Sequence, residues 1–142
     1  MVYLDTGCLV KLYYPEPENP TVIAAVAGEV IVFTPLHELE MVAAMQLKIF
    51  RGEAKPEQAV AAIELVRHDL VAGKLLEARV NWPGVFSAAV RLAQDHAAAI
   101  GCRSLDILHC ALATMAGTTM FLSSDKRQFA LARGQGLPVR SI

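Results

Sequence analysis

Short apolar runs recur along this chain, each followed by a longer stretch with helical signals, and this alternation constrains the fold more than any other feature. "VYL" (Val2 to Leu4) is the first run. Helices are predicted from about Gly7 to Tyr14 and from Thr21 to Ala27, with "PEPENP" as the loop between them, since proline interrupts a helix interior. "VIVF" (Val30 to Phe33) is the second strand. Thr34 then reads as an N-cap with Pro35 in the first helical position, where a missing N–H does no harm. That helix runs to about Phe50, and Pro56 opens another that ends near Gly73. "KLLEARV" is a further strand. Trp82-Pro83 starts a helix ending at Gly101, and Ser104 reads as the cap of one ending at Gly117. "TTMFLS", "DKRQFALARGQG" and "LPVRSI" follow as strand, helix and strand.

Strands alternating with helices predict an α/β fold: a mostly parallel central sheet flanked by helices, in three layers. The 142 residues suit a single domain, 1–142, with no repeat or low-complexity tract. A net charge of −1 excludes a protein that binds polyanions through bulk charge. No run approaches the ~18 apolar residues of a membrane span. "MVYLD" lacks the basic start and long apolar stretch of a signal peptide. Cys8, Cys102 and Cys110 contain no CxxC pair and read as reduced thiols, so a cytoplasmic location is expected. Cys102, His109 and Cys110 fit no common zinc spacing.

Ligands of parallel sheets bind beyond the carboxyl ends of the strands. Asp5 ends the first strand in "MVYLDTG", and Asp125 follows "MFLSS". Either would also serve as a helix N-cap. Asp106, in "RSLDILHCALA", falls in a first turn, where the helix dipole favours negative charge. The rest of that helix is apolar on nearly every side, so the carboxylate needs a partner. His109, one turn later, reads as a core or site-wall histidine. A fourth acid comes from "TPLHELEMVAAMQLKIFRGE". Glu38 shares a helical face with Val42, Met45 and Ile49; Glu40 shares one with Leu36, Ala43, Ala44 and Leu47. Both faces are apolar, so periodicity leaves the choice open, and the small alanines lean toward Glu40. His37 reads as a helix-start or surface residue. Carboxylates gathered together force one another to protonate unless a cation joins them. Ligation by oxygen alone points to Mg²⁺ or Mn²⁺.

"YLDTGCLVKLYYPE", "TPLHELEMVAAM", "RSLDILHCALA" and "FLSSDKRQFALARGQGLPV" together resemble a PIN domain, and most of all the VapC-type toxins of bacterial and archaeal toxin–antitoxin pairs. The resemblance spans nearly the whole chain. It implies a catalytic quartet of Asp5, Glu40, Asp106 and Asp125, with the metal held by Asp5, Asp106 and Asp125. It implies an Mg²⁺-dependent endoribonuclease that acts on RNA, forms a homodimer and is restrained by an antitoxin. Two positions depart from the family pattern: Gly7 stands where Ser or Asn is usual, and Ser123 where Thr is usual. RNA would need local positive charge, for which Lys11, Lys48, Arg51, Arg103, Lys126 and Arg127 are candidates. The helices Pro35–Phe50 and Pro56–Gly73 carry more apolar residues than one sheet face can bury, which suggests an interface. An inactive PIN-like scaffold is the alternative, for which Gly7 speaks. A receiver-type signalling domain would show paired acids after its first strand and one after a middle strand. "YLDTG" has a single acid and "VFTPL" has none.

Overall fold

The computed structural model describes residues 1–142. Its elements, in chain order, are β1 (Val2–Leu4), α1 (Thr6–Tyr13), α2 (Asn19–Ala25), β2 (Ile31–Phe33), α3 (Pro35–Phe50), α4 (Pro56–Val71) and β3 (Leu75–Glu77). Then follow α5 (Trp82–Leu92), a π-helical turn (Ala93–Ala97), α6 (Ala98–Ile100), α7 (Ser104–Met115), β4 (Met120–Ser123), α8 (Lys126–Gly134) and β5 (Val139–Ser141). All strand pairs are parallel, in the order β3-β2-β1-β4-β5. The α/β three-layer reading therefore holds.

Every residue of β1 and β2 is buried, as a sheet covered on both faces requires. Side chains alternate along a strand, so β1 feeds two cores. Val2 and Leu4 join the cluster with Leu9, Val22, Met41, Met45 and Val66, under α1 to α4. Tyr3 joins the cluster with Val85, Ile107, Leu112, Phe121 and Leu131, under α5, α7 and α8.

The structure corrects several local expectations. Ser104 is the first residue of α7 rather than its cap; Arg103 occupies the cap position, and its N–H donates to the Asp106 carboxylate. The helix expected from Trp82 to Gly101 is interrupted at Ala93–Ala97, where the π-helical turn accommodates one extra residue. Gly101 then ends it with φ of 74°, a left-handed conformation that favours glycine. The strands are shorter than the apolar runs that announce them: β3 covers Leu75–Glu77 of "KLLEARV", and β4 begins at Met120. The three cysteines are free thiols. No helix is long and apolar enough to cross a membrane.

Candidate active site

The order of the sheet places β1 at its centre, with β2 on one side and β4 on the other. The chain departs from β1 in one direction first and returns on the other side later, so the carboxyl ends of β1 and β4 flank a topological switch point. Asp5 and Asp125 stand there. The Asp5 N–H donates to Leu122 O at 3.0 Å, which fixes it beside β4. Its carboxylate caps α1, accepting from the Cys8 N–H at 2.7 Å, and its other oxygen accepts from Ser123 Oγ. Asp125 caps α8, with Oδ1 accepting from the N–H groups of Arg127 (2.7 Å) and Gln128 (3.2 Å). Both aspartates are thus N-caps, and both also sit where a ligand would be held.

Asp106 reaches the same place from α7. Its Oδ2 accepts from the Arg103 N–H and its Oδ1 from Gln128 Nε2, each at 3.0 Å. The partner that its apolar helix demands is therefore Gln128, a buried amide, rather than an arginine side chain. The Gln128 Oε1 lies 3.5 Å from Ser123 Oγ, whose proton goes to Asp5. Ser123, which donates to Asp5, and Gln128, which donates to Asp106, therefore lie side by side between the two acids without a hydrogen bond to each other. Asp106 and Asp125 line one cavity of about 310 Å³ with Arg103, Lys126 and Arg127, and no apolar residue takes part. None of these three cations forms an ion pair with either carboxylate. Of the other basic candidates, Lys11 donates to Ser124 at the end of β4. Lys48 is tied to Glu16 at 2.6 Å and leans over the Tyr14 ring.

Between the two glutamates the fold chooses geometrically. Glu38 is exposed and lines a small recess with Phe33, Arg67 and Glu77. Glu40 turns toward α1 and α7: its Oε2 accepts from Thr6 Oγ1 at 2.7 Å and from His109 Nε2 at 2.5 Å. Burial pushes the Glu40 carboxyl up, but His109 and the Thr6 hydroxyl outweigh it and hold the group below the usual carboxylate range. His109 is buried, and its Nδ1 lies 2.8 Å from the Tyr3 hydroxyl. A nucleophilic triad is excluded, because Thr6 and Glu40 meet the same imidazole nitrogen instead of opposite ones.

His37 does stand at a helix start, in the first turn of α3, but the surface alternative is wrong: it is fully buried. Its Nε2–H donates to Leu4 O at 2.8 Å, and its Nδ1 accepts from the Thr34 N–H at 3.1 Å. Burial, reinforced by His109 nearby, lowers its pKa to about 3, so it is neutral. It pins α3 to the end of β1 and thereby sets where Glu40, three residues on, can reach.

The donor set tests the expected metal. The acids at the cavity offer oxygen only, and one Asp125 oxygen carries no hydrogen bond, which suits a hard divalent cation. No three ligating side chains stand together as a ready-made cage. An ion here would fill most of its shell with water, as Mg²⁺ commonly does.

This chain belongs to the PIN domain family, whose model matches residues 2–134. PIN domains are generally nucleases and typically use a divalent metal. Among solved structures, the chain is similar to FitAcB from Neisseria gonorrhoeae, at 16% identity and TM-score 0.63, with 98% of this chain and 96% of that one covered. It is similar to VapBC2 from Rickettsia felis bound to a promoter DNA fragment, at 14% identity and TM-score 0.66, covering 99% and 98%. It is also similar to FitAB bound to an IR36 DNA fragment, at 20% identity and TM-score 0.69, covering 99% and 94%. Comparison with curated proteins finds no match.

Proposed function

We propose that this protein is a divalent-metal-dependent endoribonuclease and the toxin of a toxin–antitoxin pair. The observation that supports the reading is the pairing of Asp106 and Asp125 on one cavity rimmed by Arg103, Lys126 and Arg127, with Asp5 joined to the Asp125 backbone through Ser123. Asp5, Asp106 and Asp125 would hold Mg²⁺ or Mn²⁺. Such an ion, when bound, stabilises charge on the attacked phosphate and acidifies water. Arg103, Lys126 and Arg127 take the phosphates of the RNA backbone, and their freedom from ion pairs leaves them available. Glu40 accepts the proton of the attacking water. In-line attack then leaves a 5′-phosphate and a 3′-hydroxyl.

The partner half of the proposal draws on two supports. Two of the similar structures are VapBC2 and FitAB on DNA, assemblies that resemble what the VapC-type sequence implies. Large apolar side chains also lie exposed on α3 and α4, among them Phe50 at 87% and Val71 at 91%, more than a lone domain usually shows. A homodimer and an antitoxin segment would cover such surface.

Cleavage of RNA with Mg²⁺, with EDTA, and with the Asp5→Asn and Asp106→Asn variants tests the enzyme reading; parental cutting by either variant would overturn it. A second reading, a PIN-like binding module without activity, is favoured by one observation: no three ligands stand gathered. Absence of cleavage at every Mg²⁺ and Mn²⁺ concentration, with an antitoxin still bound, would establish it.

A further inference from the structure

Two histidines lie buried beneath the cleft, and they use their ring nitrogens differently. His37 spends both on its surroundings at the end of β1 and the start of α3, reaching the Leu4 carbonyl and the Thr34 N–H. His109 spends both on side chains: Tyr3 on one nitrogen, Glu40 and Thr6 on the other. A buried imidazole that served packing alone would need only satisfied nitrogens. His109 instead faces a carboxylate that is only partly buried, with 23% of its side chain exposed.

We propose that His109 is the positioning residue of Glu40: with Thr6 it holds Oε2 and leaves Oε1 as the oxygen that works on the attacking water. This rests on the nuclease reading given above. Every hydrogen bond that Glu40 accepts through its side chain ends on Oε2, and Oε1 has none. A carboxylate only accepts, so His109 Nε2 carries the proton that faces it. The Tyr3 hydroxyl can donate to Nδ1 of a neutral ring or accept from a charged one. The Nε2–H therefore points at Glu40 in either charge state, and the aim of the carboxylate does not depend on which one holds. The elements involved are those that carry the other acids. Tyr3 lies on β1 two residues before Asp5, and His109 lies on α7 one turn after Asp106. The same network thus fixes Glu40 relative to the metal-binding side of the cleft.

The test compares His109→Leu, which removes the donor, with His109→Gln, whose amide restores an N–H at similar reach. Two readouts are taken on the full chain: the titration of the Glu40 side-chain carboxyl by carbon-detected NMR, and kcat and KM for RNA with Mg²⁺. His109→Leu is expected to raise the Glu40 midpoint and to lower kcat by about ten- to hundredfold, the scale of a misplaced catalytic group, with KM changed less than about twofold. His109→Gln should recover most of both. Tyr3→Phe, which frees only the far side of the ring, should give a smaller change in the same direction and serves if His109→Leu does not fold. An unchanged Glu40 titration in folded His109→Leu, or a His109→Gln as slow as His109→Leu, overturns the proposal. If the parent cleaves no RNA, the nuclease reading fails by itself, and the carboxyl titration still decides whether His109 holds Glu40.

Discussion

Asp5, Asp106 and Asp125 take their side-chain hydrogen bonds from backbone N–H groups and from the neutral side chains of Ser123 and Gln128. Glu40, across the cleft, takes its own from a hydroxyl and from an imidazole. Neutral donors bring no positive charge to these carboxylates, so the aspartate side presents oxygens that a cation can answer. On the other side an imidazole N–H and a hydroxyl converge on a single Glu40 oxygen and leave the second one free. Under the proposed function one side would serve a cation and the other a proton.

The largest effect is expected on the aspartate side. Asp106→Asn should reduce metal-dependent cleavage by ~10³-fold or more, since charge stabilisation at a metal is worth several kcal/mol. The amide cannot accept from both Arg103 N–H and Gln128 Nε2, so relief of like-charge repulsion is partly offset, and urea melts without metal should show little net gain. Glu40→Gln should lower kcat by ~10²-fold without weakening metal binding by calorimetry, whereas Glu38→Gln should leave both near parental values. Equal loss of metal affinity in Glu40→Gln and Asp106→Asn would erase the division.

The next test is pH. His37 has a folded pKa of about 3, below its unfolded value near 6.5. Between those values the unfolded chain binds more protons, so stability falls as pH drops through that window, by up to about 1.4 kcal/mol per pH unit. Glu40 acts on the same side: its depressed folded pKa gives stability that is present above the ordinary glutamate value and lost as pH falls through the depressed one. Urea melts from pH 7 to pH 4.5 should show the slope, and His37→Gln should flatten it. A parental protein equally stable at both ends would contradict the burial of a neutral His37.

Smaller effects sharpen the aspartate side alone. Gln128→Leu should weaken Mg²⁺ or Mn²⁺ binding by about tenfold, as loss of a group behind a metal ligand does. Unchanged affinity would mean that Asp106 is aimed by its helix without the amide. Gly7→Ala should raise stability by up to about 0.5–1 kcal/mol, because the added Cβ meets Asp5 Oδ1 at an ordinary 3.5 Å and α1 gains a better helix former. Thermal melts that show destabilisation would mean that Asp5 needs that space.

Much of this was legible before any coordinates. A carboxylate at a strand-to-helix junction is visible as Asp5 and Asp125, because the apolar run stops and a helix begins within a few residues. Thr34-Pro35 marks α3 by the same local chemistry. The glutamate choice was not legible from periodicity, since both faces of α3 are apolar and only the docking of α1 and α7 separates them. Ala43, offered as a reason for close approach, is exposed; Ala44 is the half-buried one. Gln128 does not stand out in the sequence, because "DKRQFAL" reads as a polar helix start. Its spacing to Leu131 and Ala132, both buried, places it on the inward face, and that signal was available. Serine is a favoured cap, but in α7 the cap position falls one residue earlier, on Arg103, whose N–H donates to the Asp106 carboxylate.

The pairing of β1 with β4 joins Val2 to Met120 and Leu4 to Leu122, segments more than a hundred residues apart. Contacts of such long range form late, after the loop between them has closed. During synthesis the strand that ends at Asp5 emerges with β2 available beside it, but β4, Ser123 and Asp125 are still unmade. The acidic cleft therefore does not exist on a partly translated chain. The proposed target is RNA, the material of the ribosome itself, and this strand order leaves the cleft incomplete until β4 and Asp125 have emerged.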